Sequence, residues 1–217
     1  MGKLFSYDGG IIGFLNKVVD CVFLSVLWII FSIPLVTMGA ATSALYYTAY
    51  KVIRYDRSHV LKEFWRAFIS NFKKATVVGI ALLVFFTVII QNVYLYAGGF
   101  FEGLISKPFL IFNVVFGGVV LMWALHVFPF LSRFENKLKR SLMNCVYFSI
   151  RHFVTTVFLL VLLIVAMIVL FLFPVAVVIV PALYMLLASF LLEPIYRRYM
   201  SEEDLRTENE RNMKYYN

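Results

Sequence analysis

The 217-residue chain is 62% hydrophobic, only 15% charged, and carries a formal net charge of +8. Soluble domains are nearer half apolar and one-quarter charged, so this composition excludes an ordinary soluble domain and requires lipid around the excess apolar surface. The basic residues lie in the gaps between apolar runs. The positive charge is therefore a topology signal, and no nucleic-acid partner is expected.

Four long runs contain no Asp, Glu, Lys or Arg: 21–50, 75–101, 108–132 and 153–192. About 20 helical residues cross the roughly 30 Å hydrocarbon core once, so the last run is long enough to cross twice. Pro174 is the expected turn, because proline interrupts helical hydrogen bonding. We predict an all-α membrane protein with about five spans, near 14–36, 76–98, 108–131, 153–173 and 175–194, the fifth interrupted by Pro181.

Charge sets the predicted orientation. Of the 20 Lys and Arg residues, 17 fall after the first span, after the third span and in the tail. The gap after the second span holds only Lys107, and the turn after the fourth holds none. Because basic loops favour the cytoplasmic side, we predict an N-out, C-in topology. The predicted organisation is one polytopic membrane domain, 1–196, and a charged cytoplasmic tail, 197–217.

The segment after the first span is rich in small residues. Ala40, Ala44 and Thr48 recur every four residues and give one helical face with almost no side-chain bulk. Such faces let helices approach closely where lipid supplies no hydrophobic driving force. The stretch 37–50 is short for a span. It indicates either a helix packed against the bundle or a re-entrant element that lines a substrate path.

Residues 59–74 form the pattern of a basic amphipathic helix, and a second one follows the third span. One face is apolar and aromatic, and Lys62, Arg66 and Lys73 lie on the other. This pattern suits the cytoplasmic headgroup layer, and it equally suits docking on a partner protein. The residues predicted to carry this interface are Phe64, Trp65, Phe68, Asn71, Phe72 and Lys73.

Few polar residues interrupt the predicted spans. Ionisable and amide groups are costly inside a bilayer, so each is either a functional candidate or a structural group satisfied locally. No metalloprotease, nucleophile-elbow, phosphate-loop or zinc-type motif occurs, so no enzyme activity, cofactor or metal is expected. Cys21 and Cys145 are expected to be buried and unpaired. The polar candidates are Asp20, Asn92, Asn113, His126 and Glu193.

The block from Pro34 to Tyr47 resembles the hallmark of the YesL-like family of bacterial integral membrane proteins, domain of unknown function 624. Similar further blocks occur around Phe64–Lys73 and Phe128–Phe134. The positions that match the first block are Pro34, Thr37, Gly39, Ala40, Ala41, Ala44, Leu45, Tyr46 and Tyr47. The family assigns no catalytic or binding residues, so none is transferred to this chain.

The resemblance implies a multi-pass bacterial plasma-membrane protein. Members of the family often accompany carbohydrate-uptake systems. We therefore expect an accessory or regulatory component of carbohydrate uptake. Its expected partners are the lipid bilayer and either subunits of an ABC sugar transporter or further copies of the chain. The alternative is a small oligomeric transporter or channel for a small solute, because five short spans make a narrow pathway unless copies associate.

Overall fold

The computed structural model describes residues 11–54, 59–97, 106–134, 136–200, 202 and 205–206, and these residues contain helices and turns but no strand. The prediction of an all-α membrane protein is confirmed. A 3₁₀ turn, Leu35–Thr37, precedes the second helix, a π-helical turn, Ala49–Ile53, follows it, and a 3₁₀ turn, Pro174–Val178, precedes the last. The described helices are α1 Ile11–Ser32, α2 Met38–Thr48, α3 Val60–Ala97, α4 Ser106–Arg133, α5 Leu138–Arg151, α6 Phe153–Leu172 and α7 Val180–Arg198.

Four of the described helices, α1, α3, α4 and α6, are long and apolar enough to cross a membrane, and they overlap the first four predicted spans, although α1 ends at Ser32, four residues before the predicted end. The fifth predicted span lies in α7, which is not among the four and carries Glu193, Arg197 and Arg198 in its last turns. α7 returns beside α6, because a ring nitrogen of His152 lies 3.3 Å from the Tyr199 hydroxyl. This hairpin supports a fifth crossing, which stays a prediction.

The predicted amphipathic helix and the second span are one continuous helix. α3 has 38 residues, which corresponds to a length of about 57 Å. α4 runs antiparallel to its second half, as the Phe85–Phe116 ring contact at 5.6 Å and the bond from Lys74 to the Asn136 carbonyl require. Since the hydrocarbon core is only about 30 Å thick, α3 must tilt strongly or extend beyond it.

The first half of α3 packs against α1 and α2. Phe31 of α1 contacts the rings of Phe64 and Phe68 at 5.6 and 5.1 Å. Further towards the start of α1, Asp20 lines the same surface depression as His59. The predicted topology places these last two residues on opposite membrane faces. Their shared depression is therefore at odds with a first span that runs antiparallel to α3, and the N-out orientation stays a prediction.

α2 lies at the centre of the bundle, in contact with α1, α3, α4 and α7. Ala40, Ala44 and Thr48, the face with little side-chain bulk, are completely buried. At 11 residues α2 is too short to cross the membrane by itself. The small residues thus allow neighbouring helices to surround a short internal helix.

Candidate functional site

The chain turns from α1 into α2 at Pro34 and Thr37. Pro34 adopts an extended backbone, which ends α1 because it has no N–H to continue the helical bonding. The Thr37 hydroxyl lies 2.6 Å from the Phe31 carbonyl, which the end of α1 leaves without a helical partner, and 2.8 Å from the Pro34 carbonyl, which also accepts from the Thr37 backbone N–H. These two residues fix where α2 begins.

α2 crosses α3 at two glycines. A Cβ on Gly39 would overlap the backbone carbonyl oxygen of Ala75, and it would lie 3.1 Å from the Cα of Gly79. A Cβ on Gly79 would lie 3.0 Å from the Cα of Gly39. The two backbones are in direct contact, so neither position accommodates a side chain without movement of a helix. Ala40 and Ala41, which follow Gly39, are completely buried.

Further along α2 from this crossing, α2, α4 and α7 meet at a buried ion pair. An Nη of Arg133 donates to an Oε of Glu193 at 3.0 Å, and the two side chains are only 9% and 2% exposed. The Tyr46 hydroxyl donates to the other carboxylate oxygen at 3.1 Å. Burial, and next the Glu193 carboxylate, raise the pKa of Tyr46 well above its usual range, so this hydroxyl stays protonated. We call these three residues the buried ion-pair cluster.

The π-helical turn places a second set of contacts beside the cluster. The Arg133 guanidinium lies over the Tyr50 ring, 4.4 Å from its centroid. Arg54 donates to the Ser189 carbonyl at 3.0 Å and lies over the Phe190 ring at 4.5 Å. π-helical turns in proteins occur frequently at functional sites. Here the turn aims an aromatic ring at a buried cation and carries an arginine to α7.

Tyr47 lies on the outer side of α2 and belongs to a separate, partly exposed contact. Its hydroxyl is 2.7 Å from Lys51 Nζ, which also bonds Glu63 of α3 at 3.0 Å. The Lys51 and Glu63 side chains are 14% and 13% exposed. This pair links the π turn to the first half of α3.

An aromatic cluster covers the buried ion pair from the side of α5. Tyr196 is completely buried and packs edge-on against Phe130 and Phe148. Its hydroxyl has no hydrogen-bond partner among the described residues. Cys145 of α5 is also buried and free, and burial raises the pKa of its thiol to about 12. That thiol is therefore neutral and unreactive in the folded protein.

The other polar residues predicted in the spans lie apart from the ion pair. Asn92 donates to the Asn113 side-chain oxygen at 3.3 Å, and the Asn113 amide donates to the Phe109 carbonyl, so this bond joins α3 to α4. His126 Nε2 lies 2.8 Å from the Thr156 hydroxyl. Asp20 lies in the depression near the start of α3. Of the five polar candidates, only Glu193 belongs to the ion-pair cluster.

The predicted interfacial face of α3 divides into two. Phe64 and Phe68 are buried against α1, whereas Trp65 and Phe72 are 48% and 37% exposed. Asn71 donates only to the Ala67 carbonyl of its own helix, and the Lys73 side chain is exposed. The exposed stripe continues through Leu61 and Ile69, so an apolar surface remains available after folding.

Sequence reasoning missed Arg133 and Arg54 as site residues. Both were counted only as loop charges that report orientation. Glu193, a carboxylate near the inner end of a predicted span, was marked only as a polar candidate. The sequence separation of 60 residues between Glu193 and Arg133 gave no indication that the two side chains pair.

Residues 21–93 match the family model described as "Protein of unknown function, DUF624". The predicted resemblance to this family is confirmed. No curated protein and no solved structure matches the chain. The DUF624 segment supplies Tyr46, Tyr50 and the glycine crossing, while Arg133 and Glu193 lie beyond it. No group of three or more His, Cys, Asp or Glu side chains in the described parts could hold a metal ion.

Proposed function

We propose that this DUF624 protein is a multi-pass plasma-membrane protein that serves carbohydrate uptake as an accessory or regulatory component, without enzymatic activity of its own. The apolar helices support membrane insertion, and the family resemblance motivates the link to bacterial sugar uptake. The protein acts in this proposal by contacting a permease of the ABC class, and it does not translocate sugar itself.

The observation that carries this proposal is the closed centre of the bundle, which α2 occupies. α2 lies where a pathway through one copy would run, and Ala40, Ala44 and Tyr46 on it are completely buried. The large cavity beside α2 is lined mainly by aliphatic and aromatic side chains. A sugar needs hydrogen-bonding groups along its route, because desolvating hydroxyl groups without replacement bonds is costly. The cavity of a single copy therefore supplies few of the hydrogen bonds that a sugar would need.

The exposed stripe of α3 is the partner surface in this proposal. Leu61, Trp65 and Ile69 are each about half exposed. Lys62 and Arg66 lie beside them and are also exposed. An apolar stripe with an aromatic anchor and flanking cations fits a partner helix with acidic flanks.

The test compares two charge reversals of exposed lysines at different ends of the molecule. Lys62→Glu alters the proposed partner surface, whereas Lys107→Glu at the start of α4 serves as the matched control. We expect the wild type and Lys107→Glu to co-purify with an ABC sugar permease and to restore labelled-sugar uptake in cells that lack the protein. Lys62→Glu should lose both.

Proteoliposomes that contain only the purified protein provide the opposing test. No uptake of labelled sugar is expected there. Uptake without any partner would contradict the accessory role and establish the alternative, a small transporter formed by one or several copies.

A further inference from the structure

A cavity of about 400 Å³ lies beside α2, between it and helices α1, α3, α4, α6 and α7. This volume falls within the range of about 300–1,000 Å³ typical of small-molecule sites. Its lining is mainly aliphatic and aromatic, and the lining residues with a polar group in the side chain are Trp28, Thr42 and Tyr184. The family match assigns no ligand to this cavity.

Two of the polar groups in the wall already bond to protein atoms. The indole N–H of Trp28 donates to the Thr42 hydroxyl at 3.2 Å, and that hydroxyl donates to the Met38 carbonyl at 2.8 Å. These groups do not require a polar ligand. Apart from the Tyr184 hydroxyl, the side chains that line the cavity offer a lipid only apolar contacts.

We propose that this cavity binds one hydrocarbon chain of a membrane lipid. Apolar cavities of smaller volume in soluble proteins stay free of water and bind benzene or xenon. An empty cavity of this size would leave its lining without packing partners, and that cost rises with volume. A hydrocarbon chain restores those contacts without introducing polar groups.

The size of the cavity selects a lipid chain over a protein segment. A helix with its side chains is about 10–12 Å across, so two turns of it would need roughly 1,000 Å³. The surrounding bilayer supplies hydrocarbon chains at high concentration. Met167, which lines the cavity, is 60% exposed on α6, so the cavity reaches the outer surface of that apolar helix. Flexible methionine side chains also adapt to chains of different shape.

In this proposal the bound lipid chain lies against α2, which belongs to the segment that matches the DUF624 model. Met38, Thr42 and Leu45 of α2 all line the cavity. Leu45 is only 1% exposed, so a lipid chain reaches this part of α2 through the cavity. Contact between a lipid chain and α2 is therefore a specific signature of occupancy.

The experiment uses the full-length protein in vesicles that contain a phosphatidylcholine with a photoactivatable diazirine in its acyl chain. After illumination, adducts are mapped by peptide mass spectrometry. We expect adducts on Met38–Leu45 in addition to those on the exposed faces of α3, α4 and α6. Adducts on the exposed faces alone, with none on α2, would overturn the proposal.

Two matched substitutions locate the bound chain. Ala166→Phe fills the cavity, whereas Ala81→Phe places the same ring on an exposed position of α3 outside it. The first should lose the α2 adducts and keep the surface adducts, and the second should keep both. Loss of α2 adducts in both variants, or in neither, would contradict a chain bound in this cavity.

A competition on the wild-type protein keeps the test independent of folding in the variants. Excess dodecane, which can enter an apolar cavity, should reduce the α2 adducts more than those on the exposed faces of α4. An equal reduction at both places would mean that the α2 adducts arise from surface lipid, and it would refute the assignment.

Discussion

Removing the negative charge at Glu193 should destabilise this protein more than any other single carboxylate change in the described parts. Glu193→Gln keeps the size of the side chain and an acceptor for the Tyr46 hydroxyl. It leaves the Arg133 guanidinium, only 9% exposed, without its counter-ion 3.0 Å away. Breaking one side of a buried pair costs about 3–5 kcal/mol, because the remaining charge stays desolvated.

The contacts that remain around Arg133 place the expected loss at the lower end of this range. The Tyr50 ring stays 4.4 Å from the guanidinium, and a desolvated cation–π contact contributes about 2 kcal/mol. We therefore expect the free energy of unfolding to fall by about 3 kcal/mol. Replacing both partners, Arg133→Met with Glu193→Gln, should recover most of the loss, because no uncompensated charge remains and the Tyr46 hydroxyl keeps an acceptor.

The two buried cysteines provide the assay. Cys21 and Cys145 are both free and buried, so a thiol-reactive fluorescent dye reports unfolding in detergent or vesicles. Glu202→Gln is the matched control, because Glu202 and Arg206 are 92% and 80% exposed and 3.9 Å apart, and exposed pairs contribute little. If Glu193→Gln is as mild as Glu202→Gln, the reasoning about the buried pair is wrong.

Three further predictions concern the helix crossing, pH and orientation. Gly39→Ala should lower the free energy of unfolding in the thiol assay by about 1–3 kcal/mol, because the added methyl group overpacks the crossing. Gly118→Ala is the control and should have no such effect, because Gly118 has open space around it. Equal effects of the two substitutions would refute the close crossing. Partial burial, and then two neighbouring arginines, lower the pKa of His152 below 6.5, so stability should fall as the pH drops below that value. His152→Gln should weaken this dependence, and an unchanged profile would contradict the assignment. In a cysteine-free background, cysteines placed at Asn16 and at Lys62 should react with an impermeant maleimide from the same side of the membrane, because the start of α1 packs beside the start of α3. Labelling from opposite sides would instead support the N-out topology.

The predicted spans show how much of the fold the apolar pattern alone predicts. Runs without charge predicted α4 and α6 closely, because a long apolar segment in lipid must satisfy its backbone within itself and becomes helical. The same reasoning separated an amphipathic helix from the second span, although α3 continues through both without a break. Polarity reports the environment of a segment, whereas helix continuity depends on backbone bonds that no charge pattern marks.

The sequence predicted only one side of the candidate site. The small residues of α2 pointed to close packing, and the Gly39–Gly79 crossing is a contact of that kind. The partner glycine, 40 residues away, carried no signal of its own, because a glycine in an apolar run reads simply as a small residue.

The sequence by itself determined that this is an all-α membrane protein and marked Glu193 as one of five polar candidates, because apolar run length and the rarity of ionisable groups in spans are visible in residue types. Only the tertiary structure decided that Arg133 and Tyr46 bond to Glu193, that α2 is internal, and that a cavity lies beside it. These features depend on which helix faces meet. In an apolar bundle that choice follows from side-chain shape across distant segments, and hydropathy does not encode it.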